Sequence, residues 1–176
     1  YKKLKMPSEY YSFMKKNWVF VFLNTNEIAA YSNVVGTAKE QELLRIQNQI
    51  KVNKEIQGAR WNGGVSSRQL QWLDNLLKKS EKKNRNVLIF CHHPLYPRSQ
   101  FTALNNMEIL DVINRYNCVK AIFSGHHHSG AFGYFDHIPC NTVEGMIETP
   151  DKNSFGIVRI YKDRIELEGK ERMTSR

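Results

Sequence analysis

Residues 87–94 read VLIFCHHP, and residues 119–128 read VKAIFSGHHH. Each segment begins with an apolar run of the kind found in buried strands, and each run leads almost directly into histidines. Open α/β sheets place their functional sites at the carboxyl ends of their strands. The two segments therefore predict an α/β fold in which two histidine loops lie side by side at one edge of the sheet.

The sequence outside these two segments supplies further elements. Ser66 and Gln69 have the spacing of a capping box, and leucines at helical spacing follow them. A helix is predicted over 107–116, a surface helix over 37–57, and a strand buried on both faces over 18–23. The sequence beyond these elements predicts short strands separated by turns. Because no repeat or Pro/Gly/Ser linker divides them, one domain or part of one is expected over the 176 residues.

Composition and charge restrict the classes of function. The chain is 41% hydrophobic and 24% charged, an ordinary globular balance. It has no apolar run of about 18 residues that could cross a membrane. Its formal net charge of +9 favours anionic partners such as phosphate esters. The densest basic run, over 78–85, lacks interleaved aromatic residues, so it is interpreted as a solvated helix end, and a nucleic-acid partner is not expected.

The cysteines and the chain start bear on location. The three cysteines are Cys91, Cys118 and Cys140; their wide spacing and odd number predict neither a disulfide framework nor a zinc knuckle. The start, Tyr1 to Leu4, lacks the apolar stretch of a signal peptide. A cytoplasmic location is therefore expected, with any targeting region lying upstream of these residues.

The histidines are concentrated in one part of the chain. All six lie between His92 and His137, and five of them lie in the two loops. Neutral imidazole is a common ligand of divalent transition metals. On an extended loop, His126 and His128 can point at two adjacent ions, and Gly125 is expected to let the backbone turn tightly enough to aim them. The loops therefore predict a metal site.

The remaining histidines receive other interpretations. His127 is expected to turn away from the metals, and His137 to be an ordinary surface residue. His93 is expected to support the ligands from behind or to face a substrate. A metal-storage loop is the other interpretation of three consecutive histidines, but such tracts usually lie in polar, flexible sequence, whereas residues 119–123 have the pattern of a core strand. A catalytic site is therefore favoured.

Two motifs carry a family resemblance. Cys91-His92-His93-Pro94 resembles the H-x-P motif of the calcineurin-like metallophosphoesterases, and Gly125-His126-His127-His128 resembles their G-H-x-H motif. Further stretches are similar to the manganese-dependent ADP-ribose/CDP-alcohol diphosphatase branch of that family. They are residues 10–13, 61–64, 71–73, 92–97, 143–149 and 155–156. The resemblance thus covers nearly the whole chain.

The resemblance implies a fold and a set of ligands. The expected fold is a four-layer α/β sandwich of two mixed sheets with helices outside, of which this chain supplies the carboxyl-terminal half. The family's amino-terminal motifs, D-x-H, G-D-x-x-D and G-N-H-[DE], do not occur in the 176 residues. By resemblance, His92 and His126 would bind one divalent ion and His128 a second. Manganese is the expected metal, with iron or zinc as alternatives.

The implied function is hydrolysis of a phosphodiester or a nucleoside-diphosphate link, as in ADP-ribose or a CDP-alcohol, by a two-metal site. Because the bridging carboxylate is missing, the fragment alone is expected to be inactive or nearly so. One alternative is a truncated, non-catalytic relative that binds a nucleotide or a partner. Another is a histidine-loop metal-binding protein without phosphate chemistry.

Substrate contacts remain open at the level of sequence. Tyr96 could stack on a substrate base or pack as an ordinary aromatic residue. Trp61 and Asn62 could lie at the rim of the site or simply form a turn. Glu144 and Glu148 are expected to be structural.

Overall fold

The computed structural model describes Lys3 and residues 5–176. Most of the chain start, on which the signal-peptide interpretation rests, lies outside the described residues. The described part contains three helices, α1 (Ala38–Val52), α2 (Ser67–Lys82) and α3 (Asn106–Ile113). Its strands are β1 (Tyr11–Lys15), β2 (Trp18–Phe22), β3 (Ile28–Ala29), β4 (Gly63–Gly64), β5 (Asn86–Phe90), β6 (Val119–Ser124), β7 (Ala131–Phe135), β8 (Ile138–Thr142), β9 (Ser154–Ile160) and β10 (Ile165–Glu171).

Six strands form a mixed sheet in the order β1-β2-β5-β6-β8-β7. The four central strands run parallel, and β1 and β7 pair antiparallel with them at the two edges. Parallel neighbours need crossover connections; α1 and α2 lie in the connection from β2 to β5, and α3 lies in the connection from β5 to β6. The carboxyl ends of four parallel strands consequently meet along one edge of the sheet.

Helices α2 and α3 cover one face of this sheet. Leu73 and Leu77 of α2 and Ile109 and Ile113 of α3 belong to the same buried cluster as Ile89 of β5. The leucines that recur at helical spacing in the sequence therefore form the core-facing side of α2, and the predicted helix is confirmed.

The start of α2 is fixed by a buried glutamate as well as by its cap. Ser66 Oγ accepts a hydrogen bond from the Gln69 N–H at 3.1 Å, as the capping box predicts. The Ser66 N–H donates instead to Glu27 Oε2 at 3.0 Å, and Gln69 Nε2 donates to the same oxygen at 2.6 Å. Glu27 lies in the loop after β2, so the cap also ties that loop to the helix.

The opposite face of the sheet is only partly covered. The β9–β10 hairpin packs Val158, Ile160 and Ile165 against Leu88 and Phe123. Elsewhere on this face the side chains of β2 are half-buried, whereas those facing the helices are fully buried. The expectation of a strand buried on both faces is therefore wrong for this face, because the hairpin is too small to cover it.

A ladder of aromatic rings crosses the partly covered face. Tyr11, Phe22, Phe90 and Phe123 stack in sequence across neighbouring strands, with ring centroids 4.9, 5.0 and 5.4 Å apart. Cross-strand aromatic pairs of this kind stabilise a sheet and help to fix its register. The ladder ends beside the carboxyl edge of β5 and β6.

A second, smaller cluster supports the region before α2. Leu43, Ile46 and Ile50 of α1 pack with Ile28 and Leu104. The short pair β3 and β4 lies in the same region, and α1 ends at Val52 rather than at residue 57. Leu104 of this cluster donates its backbone N–H to the Gly63 carbonyl oxygen at 2.9 Å, which links the cluster to β4.

Two expectations about the whole chain concern membranes and thiols. Within the described residues, no helix combines the length and the apolar character needed to cross a bilayer. Cys118 and Cys140 are buried free thiols, and Cys91 is a partly exposed one.

Leu77→Ala should lower the free energy of unfolding by about 2–5 kcal/mol, because Leu77 is fully buried in the core and its truncation leaves a cavity. Leu44→Ala is a matched control on α1, where the side chain is 59% exposed, and it should change stability by less than about 0.5 kcal/mol. Urea titrations followed by circular dichroism measure both. Equal losses would contradict the packing of α2 described above.

Candidate metal centre

Two histidines from the two loops face each other at the carboxyl edge of the sheet. His92 follows β5, His126 follows β6, and the Nε2 atom of His92 lies 3.2 Å from the Nδ1 atom of His126. Ring nitrogens of His92, His93 and His126 all lie within 4.8 Å of one another. Phe90 of β5 pairs with Phe123 of β6 just before the two loops, so both loops begin at the same level of the sheet. The predicted side-by-side placement of the loops is confirmed.

The turn that aims the second loop is made by a histidine. His126 has a φ of 63°, in the left-handed region, whereas Gly125 does not lie there. A Cβ atom at Gly125 would meet only the His92 carbonyl oxygen, at 3.9 Å. The prediction that the freedom of Gly125 turns the backbone is therefore wrong. A non-glycine residue in the left-handed region costs about 1–3 kcal/mol and persists only where its surroundings hold it.

Asn62 lies beneath the histidine pair. Its side chain is buried, with 1% exposure, and its Oδ1 atom lies 3.0 Å from Nε2 of His126. Its Nδ2 group donates to the carbonyl oxygens of Gln57, at 2.8 Å, and Gln100, at 2.7 Å. Trp61, beside it, is 55% exposed at the rim. From the sequence, Asn62 could either lie at the rim of the site or simply form a turn. The one sequence signal for a role in the site is that residues 61–64 are similar to the diphosphatase branch.

His93 is fully buried and has a partner at each ring nitrogen. Nδ1 lies 3.0 Å from Thr25 Oγ1, and Nε2 accepts a hydrogen bond from the Gly63 N–H at 3.2 Å. The backbone N–H of His93 also donates to Thr25 Oγ1, at 3.0 Å. His93 therefore ties the first histidine loop to the loop after β2 and to the turn at Gly63, and it has no free nitrogen to offer to an ion.

His128 is held apart from the close group. Its Nδ1 atom lies 2.5 Å from Glu148 Oε1, which leaves Nε2 as the ring nitrogen available to an ion. A carboxylate on the far nitrogen of a histidine is a common support for a metal ligand. Glu148, expected to be structural, thus contacts a candidate ligand, whereas Glu144 pairs with Arg176 at 3.3 Å.

The other predicted residues lie outside the histidine cluster. The ring of His127 stacks on Phe101 with centroids 4.5 Å apart, and His137 lies exposed at the turn between β7 and β8. The ring of Tyr96 packs edge-on against Phe135 at 5.7 Å and borders the core beneath α2 and α3. Tyr96 thus has the surroundings of a packed aromatic residue.

Burial keeps the clustered imidazoles neutral. Burial, which is the larger cause, and the neighbouring histidines together lower the pKa of His93 to about 3 and the pKa of His126 to about 4. Burial also lowers the pKa of His92, and the nearby His128 adds to the effect. Neutral imidazole is the form that binds metals, so the electrostatics of the cluster suit ligation near pH 7.

The donor set fits a divalent transition metal. Zn–N bonds are about 2.0–2.1 Å long, which puts two tetrahedral nitrogen ligands about 3.4 Å apart. The separation between His92 and His126 is 3.2 Å, close to that value. Over the part of the chain that the structure describes, the close group consists of histidines and contains no carboxylate. Two neighbouring imidazoles thus have the spacing that two ligands of one ion require.

The fold and the histidine cluster together define an α/β protein with a candidate metal centre at the carboxyl edge of a mixed sheet. The chain belongs to the calcineurin-like phosphoesterase family, whose model matches residues 3–130. Its structure also superposes on the crystal structure of a dimetal phosphatase from Danio rerio with a TM-score of 0.85 and 28% identity. That match covers 94% of this chain and 59% of the other, and it confirms the metallophosphoesterase fold.

The curated relatives that the chain is similar to carry the name of one branch. The manganese-dependent ADP-ribose/CDP-alcohol diphosphatase of Bos taurus is 33% identical over 171 residues, covering 89% of this chain and 51% of the relative. The protein of the same name from Homo sapiens is 31% identical over 193 residues, covering 97% of this chain and 55% of the relative. The predicted similarity to this branch is confirmed. The chain spans about half the length of these relatives.

His126→Gly should be more stable than His126→Ala by about 1 kcal/mol, because glycine adopts the left-handed φ freely and alanine does not. Both variants lose the contact with Asn62, so the comparison isolates the backbone. The same pair of substitutions at Ser124, in β6, is the matched control and should give the reverse order. Urea unfolding measures all four. An alanine variant as stable as the glycine variant at 126 would contradict the turn.

Acidification should destabilise the chain through His93. The pKa of His93 is about 3 in the folded state, against an ordinary value of 6.5, so between these values the unfolded chain binds a proton that the folded chain does not. Stability should therefore fall as pH drops below 6.5, by up to about 1.4 kcal/mol per pH unit from this group. His93→Gln should flatten the slope between pH 6 and pH 4, measured by urea unfolding. An unchanged slope would show that His93 is not buried in neutral form.

Proposed function

We propose that the full-length protein is a metal-dependent phosphohydrolase that cleaves a diphosphate or phosphodiester link in a nucleotide such as ADP-ribose or a CDP-alcohol. The observation that carries the proposal is the 3.2 Å approach of the His92 and His126 nitrogens from two strand-end loops. The names of the relatives from Bos taurus and Homo sapiens supply the reaction and the substrate class. The metal in those names, manganese, is the ion proposed here, with iron or zinc as alternatives.

The proposed ligands divide between two ions. His92 and His126 would hold one ion, and His128, supported by Glu148, would hold the other. Such a pair of ions supplies an activated water and neutralises charge on the phosphoryl oxygens. The chain's own residues contribute uncharged nitrogen ligands, which add no negative charge beside an anionic substrate. The net charge of +9 favours the approach of that substrate.

The remaining ligands are proposed to come from polypeptide outside the 176 residues, on the amino-terminal side. Two observations support this step. The close ligand group contains only histidines within the described residues, although a bridging carboxylate normally holds two ions together. The partly covered face also has a cavity of about 320 Å³ between the ring ladder and the site, lined by Phe22, Phe90 and His92. A segment packed there would lie within reach of the histidines.

A non-catalytic role in binding a nucleotide or a partner is the second candidate. The same histidine-only donor set favours it, because imidazoles and a basic surface can bind a phosphate without a complete hydrolytic centre. The two candidates differ in whether added polypeptide restores turnover.

The chain should show little hydrolysis of a nitrophenyl phosphodiester with Mn²⁺ when assayed alone. Adding the amino-terminal part of a relative as a separate polypeptide should restore turnover, and His126→Ala should then lower it by at least about 10–100-fold. His137→Ala, at the exposed β7–β8 turn, is the matched control and should leave turnover unchanged. Robust turnover by the chain alone would refute the missing-ligand argument. Nucleotide binding without turnover in every combination would favour the non-catalytic role.

A further inference from the structure

We propose that Asn62 is a positioning residue that fixes the tautomer of His126 and so directs the Nδ1 lone pair of His126 toward His92. The inference concerns the chain without metal, and only its consequence for ion binding rests on the proposed function. Three observations carry it: the orientation of the Asn62 amide, the contact between Asn62 and His126, and the support of the turn that contains Asn62.

The orientation of the Asn62 amide is determined by its partners. Its NH₂ group lies 2.8 Å from the Gln57 carbonyl oxygen and 2.7 Å from the Gln100 carbonyl oxygen. Both partners can only accept hydrogen bonds, so the nitrogen must face them and the oxygen must face the other way. Rotating the amide by 180° would set its oxygen against two carbonyl oxygens in a buried place. Oδ1 of Asn62 is therefore held toward His126.

The tautomer of His126 follows from this orientation. Oδ1 of Asn62 can only accept, and it lies 3.0 Å from Nε2 of His126. The hydrogen of the neutral ring must therefore be on Nε2. Nδ1 then carries the lone pair, and it is Nδ1 that lies 3.2 Å from Nε2 of His92. The asparagine beneath the ring thus selects which nitrogen faces the cluster.

The turn that carries Asn62 is itself held from two sides. The next residue, Gly63, donates its N–H to Nε2 of the buried His93. A Cβ atom at Gly63 would lie 2.3 Å from the Thr25 carbonyl oxygen, so the backbone there packs directly on the loop after β2. Thr25 and His93 are both fully buried and contact each other. Asn62 therefore has little freedom to move away from His126.

Nitrogen-15 NMR of the histidine rings in the metal-free chain tests the tautomer directly. Wild-type His126 should show the Nε2–H tautomer, and Asn62→Ala should give a mixture of both tautomers.

Asn105→Ala is the matched control. Asn105 is a buried asparagine near the same turn, and its amide accepts a hydrogen bond from the Val65 N–H and donates one to the Val65 carbonyl oxygen. Within the described residues, no histidine is among its hydrogen-bond partners. It should leave the His126 tautomer unchanged. An Nδ1–H tautomer in the wild-type chain would overturn the inference, and this measurement needs no variant to fold.

Zinc titration supplies a second readout. Zn²⁺ alone is the probe, because nitrogen sites bind it more tightly than Mn²⁺. Asn62→Ala should weaken Zn²⁺ binding by about 10–100-fold, as loss of a group that orients a ligand does, and Asn105→Ala should not. Equal affinities for wild-type and Asn62→Ala would overturn the positioning role. If wild-type His126 shows the expected tautomer but Zn²⁺ does not bind even after the amino-terminal part of a relative is added, the metal role in the proposed function fails and the tautomer assignment stands.

Discussion

The parallel pairing of β5 with β6 is the constraint on which the site depends. Phe90 lies opposite Phe123, so the chain leaves both strands at the same level. His92 follows two residues later and His126 three residues later, and the left-handed turn at His126 absorbs the difference. A strand advances about 3.3 Å per residue. A shift of one residue would therefore move one histidine by as much as the whole distance between them.

Much of this architecture could be predicted from the sequence, because a helix or strand that is buried in a core needs apolar residues at regular positions. The apolar runs of β5 and β6 and the recurring leucines of α2 are side chains that pack in one core, and Ser66 marks the start of that helix. Strand β8 was harder to predict, since Pro139 and Asn141 interrupt an apolar pattern. It is a strand because β6 and β7 supply hydrogen-bond partners on both sides, which is a tertiary effect.

Only part of the site could be predicted, because tertiary contacts place some of its residues. The positions of His92 and His126 follow from the strands before them. The roles of Asn62 and Thr25 come from contacts with residues far away in the chain, and no local pattern encodes those contacts. Glycine is the usual residue for a left-handed turn, which made Gly125 the natural expectation, whereas neighbouring contacts hold His126 in that conformation instead.

The long reach of the contacts beneath the histidines has a consequence for how the molecule assembles. Thr25 and His93 are 68 residues apart in sequence, and Asn62 and His126 are 64 apart. Closing such large loops is slow and entropically costly, so these contacts form only once most of the chain is in place. A partly folded chain with only local contacts would therefore lack an ordered histidine cluster. Contact between the rings of His92 and His126 during refolding should therefore report completion of the tertiary structure rather than growth of individual helices.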